Sequence, residues 1–118
     1  MNAKTKLFSS FKNAFNGIFL LIKSERNAKI HLILSFIAIT FGLVLKISYM
    51  EWIAVIFCIG FVTALEAINT SIEKICDFVN PDYHLNIKKI KDMAAAAVLI
   101  SALCALCIGL LIFLPKIL

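Results

Sequence analysis

Charge is what this sequence has least of. Only 16% of its 118 residues are Asp, Glu, Lys or Arg, while 62% are hydrophobic and the mean hydropathy is +0.97. A soluble domain carries roughly a quarter charged residues, so this composition excludes an ordinary soluble globule and points to an integral membrane protein. Glycine is sparse as well, with four residues dispersed along the chain. There is no Walker A loop and no Gly-rich kinase loop, so any nucleotide site must be of another kind. Cysteine is limited to Cys58, Cys76, Cys104 and Cys107. Cys104-Ala-Leu-Cys107 has the spacing of a redox or zinc pair, but it lacks a second ligand pair and falls mid-span. Ordinary helix packing is the expected role of these thiols, because buried free Cys behaves as a small hydrophobe. No cleavable signal peptide is expected, because Ser9, Ser10, Lys12, Asn13 and Asn16 interrupt the stretch from Phe8 to Ile22. No internal repeat is evident.

What is present is a succession of apolar runs. Residues 3–23 read as an amphipathic helix: Phe8, Phe11, Phe15, Phe19 and Ile22 recur at helical spacing, with Lys4, Lys6, Lys12, Asn13 and Asn16 largely opposite. This pattern suits a surface element over about residues 3–28 lying in the membrane interface. The alternative is a helix packed on its own bundle. Three spans follow at about 30–49, 52–76 and 92–114, the third closed by Pro115. Each approaches the roughly 20 residues that cross about 30 Å of hydrocarbon. Gly42, Gly60 and Gly109 fall singly inside spans, which suits close helix contacts. The length holds one domain, residues 1–118.

Lys4, Lys6, Lys12, Lys23, Arg26 and Lys29 precede the first span, and Lys74, Lys88, Lys89 and Lys91 lie around the second loop. Only Lys46 and Lys116 remain for the opposite side. The positive-inside rule then places the N-terminus and the 77–92 loop in the cytoplasm, with the C-terminus outside.

Against this background one polar stripe stands out. At about 100° per residue, Glu66, Asn69, Glu73 and Asp77 project within an arc of about 80° on the second span. Acids at membrane depth are costly and usually face a bundle interior or a watery site. Glu66 lies about 21 Å along the helix from Trp52, just inside the hydrocarbon, and Glu73 about 10 Å further, in reach of water. A carboxylate at the first depth can meet a lipid hydroxyl. One at the second, joined by Glu25, can hold a divalent cation, since magnesium takes one or two carboxylates plus phosphate oxygens and water. Lys91, Lys6 and Arg26 can offset phosphate charge, so the parts for phosphoryl transfer are present. From the residues alone, a polar site at the cytoplasmic face of a small membrane bundle is the conclusion. A cation or proton pathway and a non-catalytic assembly factor stay open, although no acidic series continues to the outer side beyond Glu51.

Glu66-Ala-Ile-Asn69-Thr70-Ser-Ile-Glu73-x-x-x-Asp77, then Asp82-Tyr83-His84, then Lys91-Asp92-Met93-Ala94-Ala95-Ala96-Ala97-Val98, resembles the prokaryotic diacylglycerol kinase family, which includes undecaprenol kinases. The resemblance covers nearly the whole chain. It implies a homotrimer of three-span subunits in the inner membrane, with N-terminal surface helices and composite active sites. It implies transfer of the ATP γ-phosphoryl group to the hydroxyl of diacylglycerol or undecaprenol, with Mg2+ as cofactor. By position it implies Glu66 as catalytic base, and Glu25 and Glu73 as metal and nucleotide ligands. Asn69 matches the active-site amide and Ala95 a substrate contact. Lys6, Asn13, Asp77, Asp82, Tyr83, His84, Lys91 and Asp92 fall at nucleotide-contacting positions. Lys6, Asn13 and Ala95 stand where the best-known members carry arginine, tyrosine and serine. The segment from Ser24 to Leu32 looks more like the undecaprenol kinase branch.

Overall fold

Four helices account for the regular structure in the computed structural model, which describes residues 2–118. They are α1 (Ala3–Ser24), α2 (Arg26–Leu45), α3 (Tyr49–Val79) and α4 (Leu85–Ile117). The last three are long and apolar enough to cross a membrane, which makes the chain an all-α, multi-pass membrane protein. At 1.5 Å per residue, α2 covers about 30 Å, while α3 and α4 reach about 46 and 50 Å. The surplus of α3 and α4 projects beyond α2 as a helical hairpin at the end that carries the 80–84 loop. That surplus holds the polar residues from Asn69 to Asp92, so the hydropathy pattern and the unequal helix lengths have one origin.

Local chemistry sets each break. Asn2 caps α1, its Oδ1 accepting from the Thr5 backbone N–H at 2.8 Å. Glu25 is extended (φ −112°, ψ 121°) and divides α1 from α2, so the surface helix leaves the bundle at its last turn. Lys46 adopts the left-handed conformation (φ 52°, ψ 57°) that turns the chain out of α2. Ser48 and Glu51 then start α3 with a reciprocal capping box: Glu51 N–H donates to Ser48 Oγ at 3.2 Å, and Ser48 N–H to Glu51 Oε1 at 2.9 Å. Asn80, extended before Pro81, ends α3.

Several expectations need correction. α4 begins at Leu85, well before the expected start of its apolar run, because His84 caps it and the Lys-rich turns are already helical. Pro115 lies inside α4 rather than closing it. So near the end, its missing N–H removes one hydrogen bond and leaves the final turn intact. Of the span glycines only Gly42 sits at a close contact, where an added Cβ would lie 2.7 Å from the Trp52 ring. Gly60 and Gly109 face open space. Cys76 is buried and Cys58 half-buried, whereas Cys104 and Cys107 are exposed on α4.

α1 does not pack along the bundle. Phe8, Phe11, Phe15 and Phe19 are exposed, and Leu21 is its one buried residue. Contact with α2 and α3 is confined to these two helices, and none is made with α4.

Candidate active site

The stripe on α3 is built as the spacing predicts, and with Thr70 at its edge it holds three of the four buried polar residues among those described. Glu66 is 2% exposed, Asn69 7% and Thr70 5%. Glu73, one turn on, is half-buried, and Asp77 is exposed. The stripe thus runs from apolar surroundings to solvent over about 16 Å of helix.

Three atoms in this stripe are buried without a hydrogen-bond partner: Glu66 Oε2, Asn69 Oδ1 and Thr70 Oγ1. Buried polar atoms are nearly always paired, and each lost partner costs roughly 1–3 kcal/mol. Three such atoms within five residues mark a surface that awaits a ligand or another chain. Asn69 Nδ2 donates to Glu73 Oε1 at 3.3 Å, which ties the middle of the stripe to its wetter end.

The other candidate residues divide into those the fold gathers and those it does not. Glu25, at the α1–α2 break, is half-buried, and its carboxylate makes no helix-capping hydrogen bond. Its charge and that of Glu73 both act on Glu66, so the three carboxylates share one region. Lys91 reaches from α4 to Asp77 on α3 and forms an ion pair across the hairpin. Asp92 pairs with Lys88 at 2.6 Å, one turn back on α4. Asp82 and Tyr83 are exposed in the loop, and the Asp82 backbone N–H donates to Asn80 Oδ1. His84 is occupied locally, since its Nδ1 accepts from the Asn86 N–H at 3.1 Å. Ala95 is exposed on α4.

Lys6 and Asn13 are not brought in. Both are exposed on α1, about 22 and 12 Å of helix away from Leu21, where α1 meets the bundle. Sequence reasoning passed over two participants. Thr70 projects about 20° beyond the edge of the stripe's arc and shares its burial. His31, on α2, sets its Nε2 3.6 Å from Glu66 Oε2. The histidine carries no signal in its own helix, because only packing of α2 on α3 gives it a meaning.

Above Glu66 an apolar groove of about 430 Å³ runs between α2, α3 and α4. Leu34, Phe41, Val62, Leu106 and Phe113 are among its walls, and His31 lies at its Glu66 end. The Ser35 and Thr63 hydroxyls on this surface are spent on backbone carbonyls of their own helices, which keeps the groove apolar.

Among the described residues no cluster of three or more His, Cys, Asp or Glu side chains could cage a metal ion. Two carboxylates, Glu25 and Glu73, nonetheless suit Mg2+, which is normally held by one or two carboxylates and completed by phosphate oxygens and water.

The family model described as prokaryotic diacylglycerol kinase matches residues 12–113. An undecaprenol kinase of Bacillus subtilis (strain 168) is 36% identical over 98% of this chain and 94% of its own length. A diacylglycerol kinase of Synechocystis is 32% identical over 95% of this chain and 65% of its own length. One from Helicobacter pylori (strain J99) is 32% identical over 80% of this chain and 74% of its own. The chain belongs to the prokaryotic diacylglycerol kinase family and is a lipid kinase.

Proposed function

We propose that this kinase transfers the γ-phosphoryl group of ATP to the hydroxyl of a long polyprenol of the undecaprenol type, in preference to diacylglycerol. The observation that carries the mechanism is Glu66, buried with an orphan oxygen 3.6 Å from His31, which lines the end of the apolar groove. A lipid tail occupies the groove and brings its hydroxyl to this carboxylate. Glu66 accepts the hydroxyl proton as the lipid oxygen attacks the γ-phosphorus. The near full-length similarity to an undecaprenol kinase supports the polyprenol reading, as does the Ser24–Leu32 segment.

Glu25 and Glu73 would hold Mg2+ against the nucleotide phosphates, and the ion would supply charge neutralisation of the phosphoryl oxygens. Asn69 orients Glu73 through its amide. Lys91 faces the same phosphates, steadied by Asp77, with Asp82, Tyr83, His84 and Asp92 around the nucleotide. Ala95 borders the lipid on α4. Lys6 and Asn13 join the nucleotide from α1 of a neighbouring copy, which makes the site composite, and the family resemblance supports a homotrimer. The basic N-terminus and loop lie in the cytoplasm, where ATP is, and the C-terminus lies outside the inner membrane.

A conduction pathway is the weaker reading, since the groove beyond His31 offers no acid. The test supplies purified protein with labelled ATP, Mg2+, undecaprenol and diacylglycerol together in mixed micelles. Undecaprenol is expected to be phosphorylated with the higher kcat/KM, and Glu66→Gln to bind ATP while transferring almost no phosphate. A preference for diacylglycerol would refute the substrate assignment, and wild-type turnover by Glu66→Gln the catalytic one.

A further inference from the structure

Glu66 has a cross-helix neighbour outside the polar stripe. His31 sits on α2, and its Nε2 lies 3.6 Å from Glu66 Oε2, the carboxylate oxygen left buried without a hydrogen-bond partner. The side chains of the two residues are 23% and 3% exposed, so the pair is largely shielded from water. His31 also lines the apolar groove at the same end. Its backbone carbonyl accepts the Ser35 hydroxyl at 2.7 Å, one turn along α2.

A carboxylate that takes a proton from an incoming alcohol uses one oxygen. Its second oxygen, unless held, leaves the group free to rotate away from the attack line. An imidazole with a proton on Nε2 supplies that hold whether it is neutral or charged. Hydrogen bonds of this kind are commonly long in the unliganded state and tighten once substrate is bound.

We propose that His31 is a positioning residue for Glu66: its Nε2–H holds Oε2 across the α2–α3 interface and so presents Oε1 to the lipid hydroxyl at the end of the groove. The inference rests on the reading of Glu66 as the base. In the step it serves, the hydroxyl proton passes to Glu66 Oε1 and the lipid oxygen bonds the γ-phosphorus. The bond from that phosphorus to the bridging oxygen breaks, and ADP leaves with the electron pair. His31 itself gains and loses nothing.

The full-length protein in lipid–detergent micelles tests this through His31→Leu, which removes the donor, and His31→Gln, which keeps an N–H at the end of a flexible chain. Wild type and Glu66→Gln serve as references. In His31→Leu, kcat should fall about ten- to a hundredfold, the range seen when the partner that orients a functional group is lost. KM for ATP should stay close to wild type, and His31→Gln should restore most of kcat. If His31→Leu does not yield folded protein, His31→Asn, whose amide falls short of Oε2, takes its place with the same expected loss. Wild-type kcat in the donor-free variant overturns the proposal. So does a raised KM at unchanged kcat, or a His31→Gln enzyme as slow as His31→Leu. An active Glu66→Gln would instead remove the reading of Glu66 on which the inference rests, so the two failures are distinguishable.

Discussion

Lys91 illustrates how a surface ion pair can matter without contributing much to stability. It meets Asp77 across the α3–α4 hairpin, and both side chains are well exposed. Exposed pairs are screened by solvent and seldom govern folding. Here the pair aims an ammonium group at the solvent end of the stripe, one turn beyond Glu73. Lys91→Ala should therefore leave thermal unfolding in detergent unchanged while raising KM for ATP and slowing turnover about tenfold or more, as loss of a cation facing transferring phosphate does. Asp77→Asn should give a smaller loss of the same kind, because the lysine keeps its charge and loses its anchor. Melting curves set beside ATP titrations separate the two effects, and a destabilised but kinetically normal Lys91→Ala would contradict this view. The stripe of Glu66, Asn69, Glu73 and Asp77 was legible in the sequence because all four lie on one helix, where angular arithmetic is reliable. His31 was not, since its role depends on how α2 rotates against α3, and α2 is apolar on nearly every side.

Helix boundaries followed the same division. The stop of α3 at Asn80-Pro81 and the N-terminal amphipathic helix had strong local signals. Helix bounds nonetheless differ from those expected: α1 ends at Ser24 rather than near residue 28, α2 runs Arg26–Leu45 rather than 30–49, and α3 starts at Tyr49 rather than 52. The early start of α4 was hidden, since Leu85 to Asp92 is too charged to be counted with a span even though it continues the helix. Gly42 was right for close contact and Gly60 and Gly109 were not, because a glycine shows only that approach is permitted. At Gly42 the approach is used. Trp52 folds back over it from the first turn of α3, and Ile47 lies close by, buried in the turn between the two helices. Gly42→Ala should force the indole to move and destabilise the α2–α3 turn by about 1–3 kcal/mol, the usual cost of overpacking. Gly60→Ala should be neutral within a single chain. Chemical unfolding of both variants in the same detergent checks the difference, and equal midpoints would refute it.

At the scale of the whole molecule, one chain leaves too much undone. Among the described residues seven hydrophobic ones are buried, and none of the large side chains is fully enclosed. Lipid can cover exposed Leu, Ile and Phe on the spans at little cost, because acyl tails are as apolar as they are. Acyl tails cannot satisfy the buried Asn69 and Thr70 oxygens, and they do not bring Lys6 or Asn13 to the nucleotide side. A neighbouring α1, carrying Lys6 and Asn13, meets the second need in the proposed trimer. Mixed assemblies test this directly. Chains carrying Glu66→Gln, inactive on their own, are refolded together with chains carrying Lys6→Ala and Asn13→Ala, which lack the contributions from α1. If sites are shared between copies, some sites in the mixture combine an intact stripe from one chain with an intact α1 from another. Activity should then rise above the sum of the two separate preparations, and the particle mass should correspond to three chains. Activity no greater than that sum, with each variant assembled normally, would place the whole site within a single chain.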